Sequence, residues 1–336
     1  MNFIKIINPI KIKEKDFVKT YSLFGIIPIF KCKDFDSHYI FRLFGIRFSI
    51  RHKTKFECPI ANTSGVTENK RNPQLIVSLA SYPPRINSAA IVINTLLHQR
   101  LKPDRIILWL ANSQFPNKEQ DLPYELLRLT EFGLEIRWCK DLGSYKKIVP
   151  ALREFPEDII VTADDDIYYR EDWLESLYNA YLSDPKNIYV KRAVGMHIVD
   201  NQIVGLPKEI QEKLDELPPS FSYQLMGGSG CLFPPYSFHD DIFDEDNFLS
   251  LIPTHDDIYL WVMAMLKGTK IKVVDGIKAN METVDNTHLS ALSKHNGKNG
   301  FGMRPDEAFE KMVKRYPEII EILKSEESVS AVTPTI

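Results

Sequence analysis

Cysteine is scarce in this sequence, and its cysteines never occur in close pairs. No Cys-x-x-Cys is present, and the 336 residues include four cysteines, Cys32, Cys58, Cys139 and Cys231. This excludes the disulfide framework of small secreted domains and argues against a zinc site built on paired thiolates. Scattered single thiols are typical of a reducing compartment, so we expect a cytoplasmic protein.

Long apolar runs and glycine-rich phosphate motifs are also missing. No run approaches the roughly 18 residues that a membrane-spanning helix needs. The segment Met1–Lys5 does not begin a signal peptide with an apolar core and a cleavage site. Neither Gly-x-Gly-x-x-Gly nor a P-loop is found, so dinucleotide binding and P-loop chemistry lose their main support.

The remaining composition is that of a globular protein with an uneven charge distribution. Apolar residues make up 44% of the chain and charged residues 26%, which is enough for a large core. Residues 1–71 contain 14 Lys and Arg against 6 Asp and Glu, whereas the remainder contains 28 against 39. A basic amino-terminal segment on an acidic body is typical of binding to an anionic membrane surface or to nucleic acid. A peripheral contact with the inner face of the cytoplasmic membrane is one interpretation of this charge pattern, and we expect no nucleic-acid partner.

Residues 1–72 have the pattern of a small β-rich extension that ends in a polar linker. A short repeat, Leu23–Ile26 and Leu43–Ile46, is followed in its second copy by strict alternation of apolar and basic residues. Such alternation predicts short strands with one basic face. Pro28 predicts an edge strand, because proline cannot donate a ladder hydrogen bond. Two roles stay open for the extension, packing on the main domain or contact with the membrane interface.

From residue 73 to 325, apolar strand-like runs alternate with amphipathic helical segments. Alternating strands and helices predict an α/β domain with a mostly parallel, doubly wound sheet flanked by helices. Residues 198–222 are rich in polar residues and proline, which favours a loop or lid. Residues 326–336 are expected to form a flexible tail.

Three consecutive carboxylates follow a short β-branched run, Ile159–Val161. This run predicts a buried parallel strand, and Asp164, Asp165 and Asp166 then lie at its carboxyl end, where α/β sheets bind ligands. Their mutual repulsion is costly unless a cation lies between them, and hard divalent cations take carboxylate and phosphate oxygens. An acidic loop that caps the following helix would also explain the triplet.

Lysines and glycines mark two further candidate segments. Lys146 and Lys147 stand at a predicted helix start, where backbone N–H groups and positive charge attract phosphate; two exposed lysines are the alternative. The run Gly227–Gly230 permits close approach of backbone to a ligand, although a tight turn would also account for it.

A second acidic pair, Asp256 and Asp257, opens a predicted helix with Thr254 as its cap. A carboxylate on a rigid helix start suits a general base, whereas acids that only cap the helix are the alternative. Downstream, His288 is a further candidate metal ligand in a segment that contains glycine and asparagine.

The order of these motifs resembles bacterial nucleotide-sugar glycosyltransferases of the GT-A fold from surface-polysaccharide and lipopolysaccharide clusters. The resemblance covers about residues 73–300 and includes the turn that contains Ser81, Tyr82 and Arg85. It implies a GT-A-like sheet, a nucleotide-sugar donor with a UDP-sugar favoured, and Mn²⁺ or Mg²⁺. The acceptor would be a glycan or a lipid-linked molecule, and the reaction would be inverting.

The resemblance also implies residue roles. The triplet matches the Asp-x-Asp motif, with Asp166 and Asp164 at the metal. His288 is a candidate third ligand from its position in the sequence alone, and a structural histidine is the alternative. Ser81, Tyr82, Arg85, Lys146, Asp164 and Asp165 would bind the donor. Asp257, or else Asp256, would take the proton of the acceptor hydroxyl.

The sequence departs from the commonest inverting pattern at Ala111–Ser113, where an acidic residue often contacts the base, so it does not specify the donor base. Two other classes stay open, a sugar nucleotidyltransferase and a non-catalytic sugar-binding protein. The nucleotidyltransferase lacks its usual glycine-rich signature here, and the binding protein would need no second acidic pair.

Overall fold

The computed structural model describes residues 10–15, 18–23, 27–35, 38–43, 46–51, 58–275, 282–284 and 303–332. The chain divides into two compact units, Met1–Glu57 and Cys58–Ile336. In the first unit, only the backbone of the strands is considered below.

The first unit is a five-stranded antiparallel sheet in which each strand pairs with the next along the chain. Its strands are β1 (Ile10–Lys15), β2 (Val18–Leu23), β3 (Ile27–Phe35), β4 (His38–Leu43) and β5 (Ile46–Arg51). Pro28 does not mark an edge strand, because β3 pairs on both sides. The proline lies beside a register shift in the β2–β3 ladder, and the pairing with β4 begins only at Phe30, so Pro28 has a paired residue on one side only.

The second unit is built on a seven-stranded sheet with the order β16-β11-β15-β9-β6-β7-β8. The strands are β6 (Leu75–Ala80), β7 (Arg105–Ala111), β8 (Leu134–Cys139), β9 (Ile159–Ala163), β11 (Ile188–Val190), β15 (Cys231–Phe233) and β16 (Ile271–Val273). Strands β8, β7, β6 and β9 are parallel, and β11 is parallel to β16. Only β15 runs antiparallel to its neighbours. The predicted fold class, a mostly parallel α/β sheet flanked by helices, is confirmed.

Helices and small sheets complete this unit. The helices are α1 (Ile86–Leu97), α2 (Tyr124–Arg128), α3 (Val149–Glu154), α4 (Trp173–Ser183), α5 (Lys208–Gln211), α6 (Glu245–Leu251), α7 (Asp256–Lys267), α8 (Pro305–Arg315) and α9 (Glu318–Val332). The remaining strands are β10 (Ile167–Tyr168), β12 (Ala193–Val199), β13 (Gln202–Gly205), β14 (Tyr223–Leu225) and β17 (Glu282–Thr283).

The sheet separates two apolar cores. Strand β6 shows why: Leu75 and Val77 belong to one core, Ile76 lies in the other, and all three are fully buried. Because successive residues of a strand face opposite sides, a continuous apolar strand requires cover on both faces. The central strand β9 is buried along its whole length, which places its carboxyl end on a rigid support.

Three sequence expectations need correction. Residues 198–222 are not a simple loop, because the hairpin of β12 and β13 and the short helix α5 occupy much of this segment. Residues 58–72 pack with the second unit, as the hydrogen bond from Gly65 N to Phe132 O shows, whereas the sequence indicated a linker. Helix α9 continues to Val332, so the expected tail is helical over its first residues. Among the described residues, no helix is long and apolar enough to cross a membrane.

Candidate functional site

The acidic triplet lies at the carboxyl end of β9, beside the loop that follows β6. Strands β6 and β9 are parallel, with Leu79 opposite Ala163, so the residues after each strand emerge at the same edge of the sheet. The loop after β6 contributes Ser81 and Arg85, and the loop after β9 contributes the triplet. The carboxyl edge of a parallel sheet is the usual ligand site of α/β proteins.

Arg85 and Ser81 hold the second half of the triplet. Arg85 donates from one nitrogen to Oδ1 of Asp165 at 2.8 Å, and its other terminal nitrogen lies 3.1 Å from Oδ2 of Asp166. The hydroxyl of Ser81 donates to the second oxygen of Asp165 at 2.6 Å. Asp165 is therefore buried and bound on both oxygens, which suits a positioning role. Tyr82 lies with its ring centre 6.0 Å from the Arg85 guanidinium carbon.

The carboxyl groups of the triplet are difficult to ionise together. Burial raises the pKa of Asp165 above its usual value, although Arg85 and Ser81 oppose this. Burial, and next the charge of Asp164, raises the pKa of Asp166 to about 6. Arg85 opposes this rise in the pKa of Asp166 without cancelling it.

Lys147 connects the triplet to the second acidic pair. Its side chain is 9% exposed, and Nζ lies 2.9 Å from Oδ1 of Asp164 and 3.1 Å from Oδ2 of Asp256. Burial alone would lower the pKa of Lys147, but the carboxylates of Asp164 and Asp256 raise it well above its usual value. The backbone of Lys147 is also held in place, because the hydroxyl of Ser78 donates to the Lys147 carbonyl oxygen at 2.6 Å.

Lys146, which the sequence suggested for donor binding, faces another group of residues. Its ammonium group donates to Oε1 of Gln114 at 3.0 Å and to Oδ1 of Asp141 at 3.1 Å. These partners follow β7 and β8, and Lys146 itself is buried. The sequence placed both lysines at a helix start, but they belong to a 3₁₀ turn, Gly143–Lys147, and only the second of them reaches the acidic cluster.

The second acidic pair opens α7, and its two members have different surroundings. Asp256 is buried against Lys147, and this contact holds its pKa below the usual value although burial opposes that. Asp257 remains partly exposed, and its Oδ1 accepts a hydrogen bond from Gly227 N at 3.0 Å. Burial, and next the charge of Asp256, raises the pKa of Asp257 to about 7. The N-cap position is His255 rather than the predicted Thr254.

The glycine segment Gly227–Gly230 packs closely against the triplet and the second acidic pair. A Cβ atom on Gly227 would lie 2.6 Å from Oδ1 of Asp257, and one on Gly228 would lie 2.7 Å from Oδ2 of Asp164. Tyr169 holds the segment in place, because its hydroxyl donates to Gly228 O at 3.0 Å and accepts from Asp164 N at 2.8 Å. A side chain at Gly227 or Gly228 would therefore displace the carboxylate of Asp257 or Asp164, and glycine leaves both carboxylates in place.

A divalent cation fits the side chains of Asp164 and Asp166. They offer hard oxygen ligands, remain 30% and 14% exposed, and raise the pKa of Asp166 through their repulsion. One or two carboxylates bind Mg²⁺ when phosphate oxygens and water complete the shell. In the part of the chain that the structure describes, no group of three or more His, Cys, Asp or Glu residues is arranged to hold a metal by itself. His288 lies outside the described residues.

Comparison with known proteins gives matches only to solved structures. No protein-family model and no curated protein matches the chain. Residues of S. aureus TarS 1–349 align with 60% of this chain and 59% of that one, at 11% identity and a TM-score of 0.39. The mannosyltransferase PcManGT from Pyrobaculum calidifontis, solved with GDP-Man and Mn²⁺, aligns with 84% of this chain and 80% of that one, at 12% identity and a TM-score of 0.41. GalNAc-T7, solved with UDP, GalNAc and Mn²⁺, aligns with 62% of this chain and 43% of that one, at 12% identity and a TM-score of 0.42. Likeness at this level does not identify a function, which must be argued from the site.

Proposed function

We propose that this protein is a metal-dependent glycosyltransferase of the GT-A type. It moves a sugar from a nucleotide-diphosphate sugar to a hydroxyl group of a glycan or lipid-linked acceptor in surface-polysaccharide synthesis. The observation that carries this proposal is the meeting of two unlike carboxylate sites at one sheet edge. Asp164 and Asp166 form a site suited to a cation, and Asp257 is a partly exposed carboxyl group with a pKa of about 7.

The triplet and its neighbours would bind the diphosphate of the donor. Mn²⁺ or Mg²⁺ on Asp164 and Asp166 would neutralise the charge of the departing nucleoside diphosphate. The triplet and the second acidic pair together contain five carboxylates, and among the described residues only two cations, Lys147 and Arg85, face them. Anionic donor phosphates would therefore not bind without added positive charge. Donor affinity should therefore depend on the cation, which is the property that a thermal-shift assay can measure.

Asp257 would act as the general base. A base works best when its pKa lies near the working pH, and a value of about 7 meets that condition. As the acceptor oxygen attacks the anomeric carbon, its proton passes to Asp257. The bond from that carbon to the diphosphate oxygen breaks, and the nucleoside diphosphate leaves with the electron pair. Displacement in one step inverts the anomeric configuration.

Asp256 is the weaker candidate for the base. It is buried, and its pKa is held low by Lys147. We assign Asp256 and Lys147 to positioning, because together they connect the start of α7 to the end of β9. Gly227 N then orients the Asp257 carboxylate by donating to one of its oxygens.

Two measurements test this function. Thermal shifts with UDP-, GDP-, CMP- and dTDP-sugars in the presence and absence of Mn²⁺ identify the donor, because a ligand of the native state raises its stability. Release of the nucleoside diphosphate on addition of acceptor then shows transfer. A nucleotidyltransferase would instead join a nucleoside triphosphate and a sugar 1-phosphate with release of pyrophosphate, and a sugar-binding protein would catalyse neither reaction. If no nucleotide-sugar stabilises the protein with Mn²⁺ present, the proposal fails.

A further inference from the structure

The register of the amino-terminal sheet sorts its residues into two faces of opposite character. Residues that pair across antiparallel strands belong to one face, as do residues two positions apart in a strand. Following the pairs from β1 to β5 gives a continuous row of Lys13, Thr20, Lys31, Arg42 and Arg47. Four of these five residues are basic.

The same face gains further cations on either side of that row. Lys15 and Lys33 belong to the adjacent row, which contains Val18, Ile40 and Ser49 at its other positions. Lys11 and Arg51 lie two positions from Lys13 and Ser49 and therefore belong to this face as well. The acidic residues of the five described strands, Glu14 and Asp34, fall on the opposite face.

This arrangement is unfavourable for the isolated sheet. Lys31 is directly opposite Arg42, and Arg42 is directly opposite Arg47. Like charges directly opposite each other destabilise a sheet. Neighbouring strands lie about 4.8 Å apart, so the backbone positions that carry these residues are spaced more closely than the Debye length of about 8 Å at physiological salt. An extended anionic surface would relieve the repulsion by neutralising the whole row at once.

We infer that this basic face docks the protein on an anionic lipid bilayer. The inference goes beyond the proposed function and does not depend on it. The two central rows contain no aromatic residue on which nucleic-acid bases could stack, since Tyr21, Phe30 and Phe41 fall on the opposite face. Phe35 lies on the basic face, but only in the outer row that it shares with His38 and Arg51. A row of lysines and arginines across five strands, about 20 Å wide, instead suits the headgroups of anionic lipids. The remainder of the chain is acidic and would be repelled by them.

The sheet provides a matched pair of variants for the test. Lys31 lies on the basic face, whereas Lys19 lies on the other one, opposite Glu14 and Cys32. Lys31→Gln and Lys19→Gln change the net charge of the full chain by the same amount. Co-sedimentation with vesicles of phosphatidylglycerol and phosphatidylcholine, at about 0.1 M salt, measures binding for both variants and for the native chain.

We expect Lys31→Gln to weaken vesicle binding about fivefold and the Lys31→Gln, Lys33→Gln double variant about 25-fold, since each cation near an anionic surface contributes on the order of 1 kcal/mol. Lys19→Gln should change binding less than about twofold, and Lys31→Arg should retain it. Circular dichroism confirms the fold of each variant, and if Lys31→Gln does not fold, Lys33→Gln takes its place. Equal losses in Lys31→Gln and Lys19→Gln overturn the inference, because net charge would then explain binding. Equal binding to pure phosphatidylcholine, or tighter binding to a single-stranded oligonucleotide at the same salt, overturns it as well.

Discussion

The ammonium group of Lys147 lies 2.9 Å from Asp164, and this contact joins the loop after β9 to the start of α7, because the same lysine also contacts Asp256. One side chain thus links the site suited to a metal with the site suited to proton transfer. The buried ion pair of Lys147 and Asp256 also stabilises the fold, since removal of one partner leaves an unpaired buried charge.

Replacement of this lysine should destabilise the fold. Lys147→Met leaves Asp256 buried beside Asp164 without a cation, and we expect a loss of about 3–5 kcal/mol in the free energy of unfolding. Urea denaturation measures it. Lys140→Met is the control, because that lysine forms an ion pair with Glu245 at the exposed surface and should affect stability little. If both variants are equally stable, Lys147 is not the link that we describe.

Asp257→Asn should abolish most turnover while donor binding persists. A correctly placed base contributes about 10²–10⁴-fold, so kcat should fall by that factor. The donor-dependent thermal shift should remain. Asp256→Asn should instead lower stability, since Asp256 is the partner of the buried Lys147. A larger loss of kcat in a folded Asp256→Asn than in Asp257→Asn would move the base to Asp256, and retention of anomeric configuration in the product would overturn the inverting mechanism.

The raised pKa of Asp257 predicts two pH effects. The base must be ionised to act, so kcat/KM should rise with pH until about 7 and then level off. Between about pH 4 and 7, the folded protein holds a proton at Asp257 that the unfolded chain has released. The free energy of unfolding therefore decreases as pH rises through this window. Asp257→Asn should flatten that part of the stability profile, and an unchanged profile in this variant would show that another group titrates there.

Metal dependence should follow Asp166. Asp166→Asn removes one oxygen ligand of the proposed cation site, so we expect loss of Mn²⁺-dependent stabilisation by the donor and of turnover, in a protein that still folds. Excess EDTA should have the same effect on the native chain. Glu171→Gln is a suitable control, because this exposed carboxylate pairs with Arg100 near the triplet in sequence but outside the site. Full activity of Asp166→Asn, or of the native chain in EDTA, would remove the metal from the proposal.

The central part of the fold could be predicted from the sequence, because its signals are local. Strands β6 and β9 are mostly apolar runs, and the triplet directly follows one of them, so chain order alone places these carboxylates at a sheet edge. The antiparallel strand β15 has only three residues, which is too short for any periodicity. The sequence predicts a loop where β12 and β13 form a hairpin, because the polar residues of the turn obscure the alternation of the two short strands.

The roles within the site could be predicted only in part. Lys146 and Lys147 are adjacent and chemically alike, and the choice between them depends on Ser78, a residue far away in the sequence that fixes the carbonyl of Lys147. The different environments of Asp256 and Asp257 also arise from tertiary contacts, because Lys147 reaches one and Gly227 the other. Sequence patterns identify such residues as candidates but do not assign their partners.

The glycine segment has a consequence for the order in which this protein becomes active during synthesis. The triplet, the segment Gly227–Gly230 and Asp257 come from well-separated parts of the chain, and Lys147 and Asp256 are more than a hundred residues apart. A nascent chain that has reached β14 already contains the triplet but has neither the glycines nor the carboxylate of α7. If the site acts as proposed, partly synthesised chains cannot consume donor, and activity appears only when the sheet is nearly complete.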